Sequence, residues 1–282
     1  MVLTLLVCIG GPQPPLPTFA PEEPATKETT GHATTTVRTD VGWVGPNQQF
    51  NIVMLITPDD GWHVYWQNPG ASGAPTEIEI QAPDGFAVGE PVFPRPLVFY
   101  GEEGQTFGYS ETAAIFVPVT APAMLSDGQA KFNITTSWLS CKKSCVIGEE
   151  TKELLVATHA LSQGPLNKDM QLSEWMKKLP QPITALENGT CSVVGEKLVI
   201  SGSVQTGPIT FIGIENKHVR FGTPERLPIT GSLFWLHIPL ILDEYEKNDE
   251  PLTVRGLLMI GRNGDDPSYV IQTQTKPEPN IF

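Results

Sequence analysis

The feature that most constrains the fold is a series of short runs in which apolar and polar residues alternate, each closed by a turn sequence. Phe50, Ile52, Met54 and Ile56 share one face of such a run, which stops at residues 57–61. Alternation with a period of two is typical of a β-strand that is buried on one side. The 26 glycines and 27 prolines break helices along the whole chain, so helical crossovers between parallel strands have no segment to form from. The sequence therefore predicts an all-β protein built on an antiparallel β-sandwich.

One amphipathic segment interrupts the strands. Apolar residues recur at i, i+3, i+4 and i+7 within residues 168–179, which predicts a short helix that ends at Pro180. Strand-like alternation resumes after this segment, so we place a domain boundary beside it. The predicted parts are a targeting segment and proline-rich linker at 1–36, a β-domain at 37–162, and a second, smaller β-sandwich-like domain at 163–282 that begins with the helix.

Charge and the beginning of the chain indicate where the protein works. The net charge of −13 repels phosphate backbones, which excludes a nucleic-acid partner. No run approaches the roughly 18 apolar residues that a membrane-spanning helix needs. Residues 5–8 are similar to a bacterial lipoprotein processing site, which makes Cys8 a candidate lipid anchor, and six prolines make residues 12–28 an extended linker. We therefore expect an exported protein of the periplasm or cell envelope.

Cys141 and Cys145 are the residues most suited to chemistry. They are separated by three residues, and at the tip of a hairpin such a pair lies with Cα atoms about 5 Å apart, within reach of a disulfide. A bridge that closes so small a loop restrains little chain entropy and therefore stabilises the fold weakly. Lys142 and Lys143 lie between the cysteines, and nearby cations favour the thiolate that attacks disulfides. This combination is typical of a redox switch.

The spacing of the cysteines leaves alternatives open. The pair also fits an ordinary structural disulfide or two reduced thiols, with the lysines marking a solvated turn. Two thiolates can hold Cu(I) linearly, whereas zinc needs four ligands and no second Cys/His pair has matching spacing. Among the remaining residues, Trp62 and Trp66 are predicted to be core tryptophans, and Cys191 is predicted to be a small buried hydrophobic residue.

Three segments together resemble one family. Residues 138–145, with the acidic Glu149 after them, are similar to the cysteine signature of the N-terminal periplasmic domain of the DsbD/ScsB thiol:disulfide interchange proteins. Residues 61–70 resemble the early strand and loop of that domain. Residues 99–101, Phe-Tyr-Gly, resemble the loop that caps its cysteine pair. The order and spacing of the three segments agree over about residues 40–160.

The resemblance implies an immunoglobulin-like β-sandwich with the cysteines at the end of one hairpin. Carried over by position, the resemblance implies that Cys141 and Cys145 are the exchanging pair. It implies that Phe99 and Tyr100 form the aromatic cap. It also implies that His63 and Tyr65 are site-lining aromatic residues. Alternation along the strand supports the last assignment, because His63 and Tyr65 point to the same face. This sequence departs from the pattern at Val98, where some relatives have an acidic residue, and at Gly148, where many have proline.

The leading hypothesis is therefore a thiol–disulfide oxidoreductase that relays electrons through Cys141 and Cys145 and needs no cofactor besides this disulfide. By resemblance Cys145 is the attacking sulfur, although the sequence itself does not decide between the two. The sequence contains no membrane-spanning electron conduit and no thioredoxin-like domain, so the expected partners are a membrane-embedded thiol reductase and thioredoxin-like envelope proteins. The family implies roles in cytochrome c biogenesis and copper tolerance. The alternatives are a non-catalytic immunoglobulin-like binding module that holds Cu(I), and a purely structural envelope protein.

Overall fold

The computed structural model of the chain contains two consecutive pairs of β-sheets, which correspond to the predicted first and second domains and are called by those names below. A short 3-10 turn at Thr30–His32 precedes the strands of the first domain, which are β1 (Ala33–Thr39), β2 (Gln49–Pro58), β3 (His63–Gly70), β4 (Glu77–Gln81), β5 (Ala87–Val88), β6 (Leu97–Gly101), β7 (Gly104–Tyr109), β8 (Ala113–Thr120), β9 (Gly128–Cys141) and β10 (Cys145–Thr158). The elements that follow are helix α1 (Met170–Lys177), a 3-10 turn at Ile183–Ala185, and β11 (Gln181–Pro182), β12 (Thr190–Val194), β13 (Lys197–Ser203), β14 (Ile209–Ile214), β15 (Val219–Phe221), β16 (Glu225–Arg226), β17 (Leu233–Leu242), β18 (Thr253–Ile260) and β19 (Ser268–Gln274). The prediction of an all-β protein is confirmed.

The structure describes only part of the sequence. The described residues are 30–166, 170–205, 207–227, 231–242 and 251–275. The predicted targeting segment, the proline-rich linker and Cys8 lie outside them.

Two antiparallel sheets pack face to face in the first domain. One has the strand order β1-β2-β8-β5, and the other has the order β10-β9-β3-β7-β6, with β4 paired to β9. Ile52, Met54 and Ile56 of β2 are completely buried between the sheets, as the alternation predicts, and Val64 and Trp66 of β3 face them from the other sheet. The immunoglobulin-like β-sandwich is therefore confirmed.

The first domain begins before the predicted boundary. β1 pairs with β2 along its whole length, from Ala33 opposite Pro58 to Thr39 opposite Ile52. Residue 37, where the sequence analysis starts this domain, therefore lies inside a strand. The segment is rich in β-branched threonine, which favours extended backbone, but it lacks an alternating apolar face and so gives no signal of burial.

Helix α1 lies against the first domain. The predicted helix is present, and its Leu172 is buried against Val53, Ala114 and Phe116 on the outer face of β2 and β8. This contact explains why β8 is apolar on both sides, since its other face lies in the core of the sandwich. The sequence analysis groups the helix with the second domain, whereas its apolar face packs on the first. Residues 167–169, at the predicted start of the helix, lie outside the described residues.

The second domain is also a pair of packed sheets. Their strand orders are β11-β19-β18-β14 and β12-β13-β17-β15, and β16 pairs with β17. Alternate residues of β17 enter the core between them, which follows from the period-two pattern of that strand. The described part of this domain thus repeats the layered arrangement of the first at a smaller size.

One of the buried apolar clusters spans both domains. Ile212, Leu257 and Met259 of the second domain belong to the same buried cluster as Trp66 and Phe107 of the first. The Asn68 side-chain amide also donates a hydrogen bond of 2.6 Å to the Gly213 carbonyl across the contact. Because apolar surface from both domains is removed from water here, the contact stabilises their relative placement.

Candidate functional site

The cysteine pair closes the tip of the β9–β10 hairpin. Cys141 is the last residue of β9 and Cys145 the first of β10, and the two lie directly opposite each other in the register of the strands. They form a disulfide with their Cα atoms 4.2 Å apart. The hairpin-tip geometry predicted from the spacing is therefore confirmed. Both sulfurs are bonded to each other here, so the Cu(I) alternative applies only to the reduced protein.

The two cysteines differ in accessibility. Cys141 is only 5% exposed, and the preceding Ser140 is fully buried. Cys145 is exposed, as are the three loop residues before it. A disulfide-exchange partner approaching the tip therefore reaches the Cys145 sulfur first, since nucleophilic attack on a disulfide requires a collinear path to one sulfur.

His63 and Phe99 lie together beside the buried cysteine. His63 of β3 pairs with Cys141 of β9, so their side chains lie on the same face of the sheet. The His63 ring stacks on Phe99 with 4.6 Å between centroids and meets the edge of Tyr65 at 5.3 Å. Burial lowers the pKa of His63, which keeps the imidazole neutral at pH 7. The structure thus brings together five of the six residues predicted as exchanging, cap and lining residues.

Tyr100 does not join this group. Alternation along β6 places Phe99 on the His63 side and Tyr100 on the opposite side, with Val98, which packs against the core. Tyr100 projects past the edge of the sandwich and is 78% exposed. Of the two predicted cap aromatics, only Phe99 therefore lies beside the site. The sequence motif marked the right loop, but the motif alone does not tell which side of the strand each ring occupies.

Tyr65 is held by the loop that follows β3. The Thr76 hydroxyl donates a hydrogen bond of 2.5 Å to the Tyr65 carbonyl. Gly73 lies so close to the phenol ring that a Cβ there would come within 2.5 Å of it, and its φ of +103° also favours glycine. Burial, with a smaller contribution from the negative charge of Glu103, raises the pKa of Tyr65. Tyr65 is therefore a neutral wall of the site rather than a proton acceptor.

The two loop lysines have different surroundings. The Lys142 ammonium donates a hydrogen bond of 3.0 Å to the Asp60 carbonyl, in the turn between β2 and β3. Gly61 makes room for it, because a Cβ there would lie 2.7 Å from the Lys142 nitrogen. Lys143 is exposed on the solvent side of the loop. Lys142 thus ties the disulfide loop to a neighbouring turn, and the thiolate-stabilising role of both lysines stays a prediction.

Contacts with residues 31 and 32, just before β1, support the β9–β10 hairpin, and the sequence alone does not predict them. The Gly31 carbonyl accepts hydrogen bonds from the Trp138 indole at 2.9 Å and from the Ser140 hydroxyl at 2.5 Å. The next residue, His32, stacks on Trp62 with 3.7 Å between ring centroids. The prediction of a core position is right for Trp66 and wrong for Trp62, which is only partly buried in this stack. No local pattern signals these contacts, because they join segments far apart in the sequence.

Gly148 explains one departure from the family pattern. It lies on β10 opposite Trp138, and a Cβ there would come within 2.3 Å of the indole. A proline at this position would meet the same ring. The indole therefore occupies the space that a larger residue in β10 would need, so in this chain the tryptophan and the glycine fit each other.

A family model described as "Thiol:disulfide interchange protein DsbD, N-terminal" matches residues 33–157. This match covers 125 of the 282 residues, so residues 33–157 are similar to the DsbD N-terminal domains. The matched segment starts at β1, ends within β10 and contains both bridged cysteines. The match and the bridge together support a thiol–disulfide interchange domain.

Solved structures extend the likeness in fold. The crystal structure of the N-terminal periplasmic domain of ScsB from Proteus mirabilis aligns with a TM-score of 0.57 and 16% identity, covering 90% of this chain and 97% of that one. Coverage of this extent includes the second β-domain, so the shared fold goes beyond the DsbD N-terminal domain. The E. coli chaperone DraB aligns with a TM-score of only 0.23 and 10% identity, over 86% of this chain and 98% of that one, and supports no conclusion. No curated protein matches the chain.

Three further features of the described residues bear on function. No group of three or more His, Cys, Asp or Glu residues in the described ranges is arranged to hold a metal ion. None of the described helices is long and apolar enough to cross a bilayer. Cys191 is a free thiol, partly rather than fully buried, and burial raises its pKa. A raised pKa disfavours the reactive thiolate, so Cys191 does not resemble an exchange cysteine.

Proposed function

We propose that this protein is an exported electron carrier that takes electrons from a membrane-embedded thiol reductase and passes them to thioredoxin-like proteins of the envelope. The observation that carries the proposal is the asymmetry of the bridge, in which Cys145 is exposed at a hairpin tip and Cys141 is buried beside His63 and Phe99. An accessible sulfur bonded to a shielded one suits exchange, because a partner can attack one end while the other stays protected.

The transfer follows the ordinary chemistry of thiol–disulfide exchange. In the reduced protein the Cys145 thiolate attacks one sulfur of the partner's disulfide, and the partner's other sulfur leaves as a thiolate. Cys141 then attacks the Cys145 sulfur, which releases the partner with two thiols and restores the Cys141–Cys145 bridge. Two electrons and two protons pass to the partner. His63 lies across from Cys141 in the strand register, and its neutral imidazole is the proposed acceptor of the Cys141 proton in the second step.

An apolar side chain beside the disulfide suits docking of a protein partner. Ile147 is 78% exposed, and it lies on the same face of β10 as Cys145, since the two are two residues apart on the strand. Its neighbour across the hairpin is Leu139. A large apolar residue left in water next to a reactive bond is typical of an interaction surface.

Electron transfer to an oxidised thioredoxin-like protein tests the proposal. We expect reduced wild-type protein to reduce that partner stoichiometrically, and we expect Ile147→Ser to slow the reaction about fivefold to tenfold, because part of the apolar contact is lost. The rate with oxidised glutathione, which is too small to need the docking surface, should not change. The measurement is stopped-flow or quenched-flow kinetics with both oxidants.

Leu155→Ser is the matched control. Leu155 lies farther along the same face of β10 and is 50% exposed, so its replacement removes a similar apolar group away from the disulfide. Its rates should equal those of wild type with both oxidants. If wild-type protein does not reduce the protein disulfide, the proposed function is wrong; if both variants slow transfer equally, the docking role of Ile147 is wrong.

A further inference from the structure

A buried arginine joins the two domains at the base of the β6–β7 hairpin. Arg95 is only 6% exposed, and it lies just before β6, the strand that carries Phe99. Its Nη1 donates to the carbonyls of Ile260 and Pro267 at 3.0 and 2.8 Å, and its Nη2 donates to the carbonyl of Gly261 at 2.9 Å. The three acceptors are the last residue of β18 and two residues of the connection from β18 to β19 in the second domain. One side chain of the first domain thus binds three backbone groups of the second.

The connection that accepts these hydrogen bonds is itself rigidly built. Gly261 has a φ of +82°, which favours glycine, and its N–H donates to the Pro208 carbonyl at 2.9 Å. The Asp266 carboxylate accepts from the backbone N–H of Asn263 at 2.8 Å and attracts the Arg95 guanidinium. The acceptors are therefore preorganised, and the arginine binds to a fixed surface rather than to a loose loop.

The other end of the hairpin is held at the same place. Tyr109, the last residue of β7, is buried, and its hydroxyl donates a hydrogen bond of 2.8 Å to the Pro94 carbonyl. The Arg95 backbone N–H donates to the carbonyl of Lys178, which follows α1. Gly264 of the second domain lies against Leu97, and Leu97 and Phe99 share one face of β6. Both ends of the hairpin are thus anchored where the domains meet.

β6 depends on this anchorage more than a central strand would. It lies at the edge of its sheet and has only β7 as a neighbour in the strand order. The backbone of β6 is therefore held in position by its hydrogen bonds to β7 and by the contacts of the residues just before it. Losing the arginine would also remove a charged donor from three carbonyl groups at the domain contact, of which the Pro267 carbonyl keeps the Ile260 N–H at 3.1 Å.

We propose that Arg95 is a positioning residue through which the second domain fixes the β6–β7 hairpin, and so sets how tightly Phe99 packs on His63 beside Cys141. The second domain then has a function in the exchange reaction without contacting the sulfurs, because it is the fixed support of the strand that shields the buried cysteine. This inference rests on the proposed function for its purpose, but the readout below does not require any exchange partner.

Alkylation of Cys141 measures how well the strand shields it. In a Cys145→Ser background the protein is treated with iodoacetamide, and modification of the Cys141 peptide is followed by mass spectrometry. We expect Arg95→Met to raise the alkylation rate about tenfold, because the variant loses the net stabilisation that the charge-assisted hydrogen bonds of Arg95 give to the shielded arrangement. Phe99→Ala should raise the rate similarly, and the double variant should be no faster than Phe99→Ala alone, because both changes act through the same ring.

Arg255→Met is the matched control. Arg255 pairs with Glu90 at 3.9 Å, also between the domains, but Glu90 is largely exposed and lies outside the β6–β7 hairpin, five residues before Arg95. Arg255→Met should leave the alkylation rate of Cys141 unchanged. The urea midpoint of unfolding, measured for each variant, reports any general loss of stability. If Arg95→Met lowers the midpoint without raising alkylation, or if its effect adds to that of Phe99→Ala, the positioning role is overturned.

A second variant keeps the test decisive if Arg95→Met does not fold. Asp266 is a partly buried residue of the second domain, and Asp266→Asn removes the charge that attracts the guanidinium. We expect it to raise Cys141 alkylation about twofold to threefold, since it weakens the same contact without removing the arginine. An unchanged rate overturns the inference. Because wild-type exchange with a protein disulfide is measured separately, a failure of the proposed function is distinguishable from a failure here.

Discussion

Cys141→Ser protein should trap a mixed disulfide with an oxidised thioredoxin-like partner, whereas Cys145→Ser protein should trap none. The exposed Cys145 can still attack the partner when Cys141 is replaced, but the buried cysteine is then missing and cannot release it. In Cys145→Ser protein the remaining thiol lies beside His63 and Phe99, out of the partner's reach. Catalytic electron transfer should be lost completely in both variants.

Non-reducing electrophoresis and intact mass measure the two outcomes. The trapped species should have the summed mass of both chains and should disappear when a reductant is added. The double variant with both replacements is the control for adducts formed through other cysteines, including Cys191. Trapping through Cys141 instead of Cys145 would reverse the assigned roles of the two sulfurs.

Trp138→Ala should destabilise the folded protein by about 3–5 kcal/mol, as large-to-small changes of a buried tryptophan do. The indole is 2% exposed, packs on Gly148 and donates to the Gly31 carbonyl, so its loss leaves a cavity under the disulfide hairpin and removes one of the two donors to that carbonyl. The free energy of unfolding of the oxidised protein, from urea denaturation followed by circular dichroism, gives the value.

Trp62→Ala provides the comparison for this prediction. Trp62 is only partly buried and packs on the His32 ring at the surface, so its replacement should cost about 1 kcal/mol or less. Equal losses in the two variants would show that Trp138 does not support the hairpin in the way its contacts indicate.

Features set by neighbouring residues in the sequence are the ones that the sequence predicts well. The alternation in β2 correctly predicted its buried face, and the three-residue spacing of the cysteines correctly predicted a bridged hairpin tip. His63 and Tyr65 lie on one face, as their separation by two positions requires. In each case the structure follows from a geometric period of the strand.

Contacts between segments that are distant in the sequence could not be predicted from the sequence patterns. The hydrogen bond from Trp138 to the Gly31 carbonyl joins residues more than a hundred positions apart, and so does the hydrogen bond from Arg95 to the Gly261 carbonyl of the second domain. The contact that places helix α1 on the first domain also joins segments that are distant in the sequence. Propensity and periodicity describe local backbone and exposure, whereas these contacts depend on how completed sheets pack together.

A redox titration of the folded protein tests the central claim most directly. The protein is equilibrated in glutathione buffers of increasing reducing strength, free thiols of Cys141 and Cys145 are alkylated and counted by mass, and circular dichroism follows the β-structure in the same samples. We expect the bridge to open and close reversibly around a single midpoint while the spectrum of the folded protein stays unchanged. A bridge that resists reduction until the β-structure is lost would contradict electron exchange through this disulfide.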